Sequence, residues 1–381
     1  MAEPGNLLDC AHFDAYRCRS CSWLDVAYGD QLQRKVDHAR SLIGTHPVWD
    51  APVASPLSGF RNKAKVVVGG SVATPVLGIL GPDGPVDLRD CALHEVPIQR
   101  ALPVLAAFVC EAGLEPYDVA SHRGELKYLL VTSATTGELM VRFVLRSTEA
   151  EARIRKHLPA LLEALPALVV ASINIQPEHK AVLEGDREIV LTEAAALAMP
   201  INDVLLSLRP QSFFQTNTAV AAALYRSARE FVAGIKASSA WDLYCGVGGF
   251  ALHLARPDLA LKGVEISAEA VASAQASAAG VRFIADDALG FARQALRTGD
   301  QPDLVVVNPP RRGIGELAEL LETSATPAVL YSSCIWRRFC GALVGIYKRL
   351  ILGGNLTRID FRVRLLQACT GWLQVPLNLT V

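Results

Sequence analysis

Between residues 60 and 200 the apolar positions fall into short alternating runs broken by stretches of helical period. Residues 63–70 and 75–80 predict one hairpin, and 128–133 with 139–146 predict a second. Helices are expected over 96–113 and 149–164, with a strand at 168–175 and no internal repeat. From about Trp241 the pattern changes to apolar strands alternating with helices, the mark of a doubly wound parallel α/β sheet. Its strands are expected at 240–244, 261–264, 281–284, 303–307 and 328–331, with a helix at 251–255 after the first.

A chain of 381 residues with 51% hydrophobic content has room for two or three buried cores, which excludes disordered, collagen-like and low-complexity classes. Lys plus Arg (37) nearly cancels Asp plus Glu (38), so the net charge of −1 gives no bulk footprint for nucleic acid or an anionic membrane. The first residues lack a signal-peptide profile, and no stretch of about 18 apolar residues runs free of charged or several polar groups. A cytoplasmic location is the expectation. The nine cysteines should then be largely reduced, and their spacing becomes informative.

Cys10, Cys18 and Cys21 read Cys-x7-Cys-x2-Cys, a spacing that brings three thiolates toward one metal centre. The better fourth ligand is Cys91, in a loop after the turn at 81–85, because Cys110 sits in an apolar helical run. An iron-sulfur cluster, a zinc ion and unligated buried cysteines all remain open on spacing alone. Arg61, Lys63, Lys65, Arg123, Lys127, Arg142 and Arg146 fall on the strands and loops of the middle segment. They suit either a groove for a polyanion or, more simply, a solvated strand face.

The strand at 240–244 runs into Cys-Gly-Val-Gly-Gly-Phe, glycines that permit a tight turn and close approach of a ligand. Glu265 ends the next strand, 23 positions after Asp242, where an acid meets a ribose diol. Asp286 and Asp287 end the third, and Asn308-Pro309-Pro310 follows the fourth. A nicotinamide site needs no Asn-Pro-Pro there, whereas S-adenosylmethionine methyltransferases often carry a shorter glycine turn with that loop. Cys334 follows the fifth strand and is placed to be a nucleophile or a buried structural thiol, and Cys245, beside the glycine turn, is its rival.

Taken together, these motifs resemble the RNA uracil-5-methyltransferases. The resemblance rests on the segment from Arg209 to Asn217, the turn from Asp242 to Phe250, Asn308-Pro-Pro-Arg-Arg-Gly, and Tyr331-Ser-Ser-Cys. It implies a C-terminal Rossmann-like S-adenosylmethionine methyltransferase domain at 201–334, an α+β RNA-binding domain at 60–200 and an iron-sulfur segment at 1–59. It further implies a [4Fe-4S] cluster on Cys10, Cys18, Cys21 and Cys91, cofactor contacts from Gln215, Tyr244, Glu265 and Asn308, and Cys334 as nucleophile. Phe213 would offer a stacking surface for a flipped uracil. The cysteines begin near residue 10, which is expected to leave no room for a preceding TRAM barrel. Within the family this points to the ribosomal branch, acting on a uridine in a domain II hairpin loop of 23S ribosomal RNA, as a monomer with no protein partner.

After Cys334 the resemblance stops. Relatives carry a Glu there that removes the carbon 5 proton, but residues 335–381 hold no Glu and no His, and Asp360 is their one acid. About five acids would be expected in those 47 residues at the whole-chain frequency. The segment reads as an atypical tail translated out of the ancestral frame. A catalytically impaired RNA-binding relative is therefore the alternative function, and a cluster-bearing redox protein a third reading that the Asn-Pro-Pro and Ser-Ser-Cys motifs argue against.

Overall fold

The computed structural model describes residues 7–43, 48–81, 83–179, 183–278, 280–310, 312–324, 326–332 and 362–363. The chain begins with a single helical turn, α1 (Ala11–Asp14), a longer helix α2 (Tyr28–Ile43) and a short strand β1 (Val48–Trp49). It then enters a seven-stranded mixed sheet built from β2 (Lys63–Gly70), β3 (Pro75–Gly81), β4 (Gly84–Asp87), β5 (Leu126–Ser133), β6 (Leu139–Leu145), β7 (Leu168–Ile175) and β8 (Arg187–Val190). Their order is β4-β3-β2-β5-β6-β7-β8. Antiparallel neighbours are joined through turns and loops, whereas the parallel pair β6 and β7 needs a crossover, supplied by α4 (Glu151–Ala164).

Alternation decides which face of this sheet is covered. Ala64, Val66 and Val68 of β2, with Leu129, Val131, Val141, Phe143 and Ile173, point to one side and pack under α3 (Val96–Glu111) and α4. Burying that many aliphatic side chains at roughly 1.5–3 kcal/mol each is what holds the two helices down. Pro97 lies in the first turn of α3, where a missing N–H costs nothing, and Phe108 meets Phe143 at 5.5 Å between ring centroids. The opposite face carries Lys63, Lys65, Arg142, Ser172, Asn174 and Glu188.

A hairpin of β9 (Leu197–Ile201) and β10 (Val204–Leu208) follows, turning at Asn202 with φ +53°, a left-handed conformation that Asn tolerates. Next come α5 (Thr218–Ala233), β11 (Ser239–Leu243), α6 (Gly249–Leu254), β12 (Ala260–Glu265), α7 (Ala268–Ala276), β13 (Arg282–Ala285), α8 (Ala288–Arg297), β14 (Leu304–Val307), α9 (Glu316–Thr323) and β15 (Ala328–Tyr331). The five strands are all parallel, in the order β13-β12-β11-β14-β15. Helices cover both faces. Trp241, Leu243, Val305 and Val307 pack with Ala288 and Ala292 of α8 and Leu317 of α9, while Ala240, Leu261, Leu304 and Val306 pack with residues of α5 and α6. That second core also takes in Ala134, Met140 and Val170 from the mixed sheet. The last described strand, β16 (Arg362–Val363), pairs parallel with β1.

The strands expected from the sequence are all present, within a few residues at their ends. The helix expected at 251–255 starts earlier, at Gly249, where the Tyr225 hydroxyl would lie 2.3 Å from a Cβ and so requires a glycine. The hairpin β9–β10 and strand β8 are not expected from the sequence: Pro200 interrupts β9, and β8 (Arg-Glu-Ile-Val) opens on two charged residues. Among the described residues no helix is long and apolar enough to cross a membrane.

Candidate active site

Parallel strands end on one side, so Tyr244, Glu265, Asp286 and Asn308 follow strand ends at the same edge of the sheet. Register makes this specific: Leu243 lies beside Val264 and Val307, which sets Tyr244 between Glu265 and Asn308. The order reverses at β11, and a crevice opens at such a switch point. Three residues of the turn after β11 are left-handed: Tyr244 at φ +63°, Gly246 at +55° and Gly248 at +83°. A side chain at Gly248 would strike the Phe283 ring at 2.8 Å, whereas one at Gly246 would meet nothing within 4 Å. The turn therefore packs inward at Gly248 and lies open at Gly246.

Glu265 is fixed from two directions. Its Oε2 accepts from the Gly246 N–H at 3.1 Å and its Oε1 from the Ser267 N–H at 3.1 Å. A carboxylate has about four acceptor positions, so capacity for ligand hydroxyls remains. Burial pushes the half-buried Tyr244 hydroxyl up, with Asp287 and Glu265 adding to the shift and Arg312 opposing it. Asp287 in turn caps α8 by accepting from the Gly290 N–H at 2.8 Å.

Behind the turn Asp242 is completely buried and accepts from the Ala251 N–H at 2.9 Å. Burial pushes its carboxyl up to about 7. Cys245 is also buried, and desolvation with Asp242 and Glu265 nearby drives its thiol far above the ordinary range. The group it packs against is β12, since a Cβ on Gly263 would lie 3.1 Å from its Sγ. The rival nucleophile is thus a protonated structural thiol. Strand β15 brings the chain to the sheet edge, where the Ser332 N–H donates to the Val307 carbonyl at 2.8 Å. Cys334 lies outside the described residues.

Gln215 sits in the loop before α5. A helix that precedes a parallel strand runs against it, so the N-terminus of α5 comes to the same edge as Tyr244. Asn217 caps that helix, its Oδ1 accepting from the Val220 N–H at 3.1 Å. Phe213, in the same loop, is 72% exposed between the buried Ser212 and Phe214.

The four cysteines of the N-terminal pattern are all free thiols of intermediate exposure. His12 Nε2 and Asp90 Oδ1 meet at 2.8 Å, tying the loop of Cys10, Cys18 and Cys21 to that of Cys91. The Arg19 guanidinium lies 3.6 Å from the Phe13 ring centroid and 4.6 Å from that of Tyr16, clamping the same loop. Burial, with Cys91, Cys18 and Cys10 as neighbours, pushes the Cys21 thiol up to about 11. Burial also raises the Cys91 thiol, against a bond from the Leu93 backbone and the charge of Arg61. Among the described residues no three His, Cys, Asp or Glu side chains converge on a single metal ion.

The basic residues of the middle segment divide: Lys127 and Arg142 are buried, Arg61, Lys63 and Arg146 half-buried, and Lys65 and Arg123 exposed. Arg142, 1% exposed, forks onto Glu188 with bonds of 2.9 Å and 2.5 Å and reaches Glu184 at 2.9 Å. Lys127 donates to the Gln176 and Glu178 carbonyls at 2.7 Å, and Arg146 pairs with Glu125 at 2.6 Å. A solvated face does not describe the buried Lys127 and Arg142, whereas Arg146 keeps 41% of its side chain exposed.

The fold places the chain in a class, the α/β methyltransferases. It superposes with a TM-score of 0.69 on the crystal structure of Pyrococcus abyssi tRNA (uracil-54, C5)-methyltransferase in complex with S-adenosyl-L-homocysteine, at 21% identity, covering 84% of this chain and 77% of that one. Residues 131–289 match the tRNA (uracil-5-)-methyltransferase family. The 23S rRNA (uracil(747)-C(5))-methyltransferase RlmC of Shigella sonnei (strain Ss046) is 51% identical over 334 residues, 86% of this chain and 89% of the relative. The protein of the same name from Escherichia coli (strain K12) matches at the same identity and coverage. The chain belongs to the RNA uracil-C5 methyltransferases, which are transferases.

Proposed function

We propose that this chain methylates carbon 5 of a uridine in a domain II hairpin loop of 23S ribosomal RNA, using S-adenosylmethionine. The observation that carries the reading is the 51% identity to RlmC over 334 residues, to which the convergence of Tyr244, Glu265 and Asn308 at one sheet edge adds a matching cofactor crevice. The open space over Gly246 and the doubly anchored Glu265 fit an adenosyl ligand: Glu265 would accept from its ribose hydroxyls, with Gln215, Tyr244 and Asn308 as further contacts. When bound, S-adenosylmethionine supplies an electrophilic sulfonium methyl.

Carbon 5 of uracil is a weak nucleophile. Cys334 would add as a thiolate to carbon 6, moving the electron pair onto the enolate so that carbon 5 can take the methyl group. A base then removes the proton left on carbon 5, and the returning pair expels the thiolate. The uracil must leave its stack first, which costs less in a single-stranded loop, and the exposed Phe213 offers it a stacking face. The mixed sheet and its helices, within 60–200, would hold the RNA beside the 201–334 methyltransferase part. The enzyme is read as a cytoplasmic monomer acting without a protein partner.

Cys10, Cys18, Cys21 and Cys91 fit a [4Fe-4S] cluster, which would supply a rigid, charged anchor for these loops. Each thiolate of such a cluster takes a different iron, so the sulfurs need not converge within the roughly 2.3 Å reach of one tetrahedral ion. Burial, with the neighbouring thiols, raises Cys21 and Cys91 as free thiols, and bound metal would relieve that cost.

Mapping 5-methyluridine in 23S ribosomal RNA from cells with and without the gene tests the reading. The modification should vanish on deletion and fail to return with Cys334→Ala; its persistence in deleted cells would overturn the assignment. The tail without Glu or His favours a second reading in which release stalls after methyl transfer. A denaturant-stable protein–RNA adduct, absent in Cys334→Ala, would then accumulate, and multiple turnover without adduct would exclude it.

A further inference from the structure

A short backbone ladder joins the four-cysteine loops to the cofactor loop. Arg61 is bridged in parallel to His94, three residues after Cys91, and antiparallel to Asn217, two residues after Gln215. On one side the Arg61 N–H donates to the Leu93 carbonyl at 2.8 Å and the Glu95 N–H to the Arg61 carbonyl at 3.0 Å. On the other, Asn62 reaches the cofactor loop. Its N–H donates to the Thr216 carbonyl at 3.0 Å, and its Nδ2 to the Gln215 carbonyl at 2.9 Å and the Thr218 Oγ1 at 2.7 Å. The Asn62 carbonyl accepts from the Ser133 N–H at 2.8 Å, which locks the residue to the mixed sheet.

Asn62 is 1% exposed, and its four bonds tie the loop at 215–218 to the mixed sheet. Asn217 Nδ2 donates to Ser55 Oγ at 2.6 Å, and the Glu95 carboxyl is bonded by the Ser133 and Thr218 hydroxyls. The Gln215–Thr218 stretch therefore has its carbonyls, its cap and a hydroxyl all held from the cysteine side of the molecule.

We infer that Asn62 is a positioning residue that couples the four-cysteine site to the cofactor loop, so that metal on Cys91 and its partners fixes Gln215 for S-adenosylmethionine binding. The inference rests on the proposed cluster and on Gln215 as a cofactor contact. It predicts that an emptied cysteine site loosens the ladder at Leu93–Glu95 and, through Asn62, the loop at 215–218, while RNA contacts elsewhere are untouched.

The test uses the full chain purified without oxygen, with iron counted first. S-adenosylmethionine affinity is measured by calorimetry in wild type and Asn62→Ala, each iron-loaded and iron-depleted, with affinity for a domain II hairpin RNA as the comparison. Loss of the two Nδ2 bonds should weaken cofactor binding about tenfold in loaded Asn62→Ala while iron content and RNA affinity hold within about twofold. Depletion should weaken wild type by a similar factor and add little to Asn62→Ala, as two steps on one path require. Amide exchange at 215–218 in wild type, which needs no substitution, should quicken on depletion. Loaded protein whose cofactor affinity ignores both the substitution and depletion would overturn the inference, as would additive effects. A chain that never binds iron would instead overturn the reading of the cysteines.

Discussion

Glu265 shows how one side chain serves two tasks. Its carboxylate satisfies the Gly246 and Ser267 N–H groups and so shapes the turn, while keeping acceptor capacity for a ribose diol. Glu265→Gln removes the charge and turns one acceptor into a donor. Since hydrogen bonds to charged groups are worth roughly 1.5–3 kcal/mol, cofactor affinity should fall about 10- to 100-fold by calorimetry, with RNA affinity retained. Glu265 was legible in the sequence because a strand end announces itself locally. Asn62 was not: its partners Gln215 and Thr218 lie 153 and 156 positions away, and an Asn beside a strand start carries no signal of what it will meet. Cys334 is expected as nucleophile from its strand end together with the resemblance and lies outside the described residues, whereas the burial of Cys245 emerges only from the packing around it.

At the scale of elements, the polar face of the mixed sheet was the hardest to read. A cation on a strand suggests solvent or a polyanion, yet Arg142 is almost fully buried and paired with Glu188 and Glu184, and Glu188 in turn accepts from Ser172 and Asn174. Glu188 is 46 positions from Arg142, so the compensation appears only when β8 closes the sheet against β7. Removing one member of such a cluster leaves buried charge uncompensated, and Arg142→Ala should cost about 3–5 kcal/mol in urea unfolding. Arg142→Met with Glu188→Gln should recover much of that loss, because both charges leave together. The strands themselves were legible, since apolar alternation reports burial one strand at a time. The β9–β10 hairpin was not, as Pro200 inside β9 argues against a strand there.

For the whole molecule, charge matters through where it is buried. Residues 335–381 carry seven Lys or Arg and one Asp, a net +6 against −7 for residues 1–334, so the near-neutral total describes neither part. The buried Asp242 adds a pH dependence of its own. Burial raises its pKa from 3.8 to about 7, so between those values the folded chain holds a proton that the unfolded chain has released. Its favourable contribution is complete below 3.8 and is lost as pH rises through 7. Asp242→Asn cannot ionise, and its melting temperature relative to wild type should therefore climb between pH 5 and pH 8; a constant difference would show that Asp242 does not titrate in that range.

The mixed sheet lends Ala134, Met140 and Val170 to the core that also seats α5, α6 and the parallel sheet. The two sheets are consequently not interchangeable cassettes. A chimera that paired this parallel sheet with the mixed sheet of another relative would have to import a matching apolar surface as well. Divergence in either sheet is thus filtered by the shape of the other.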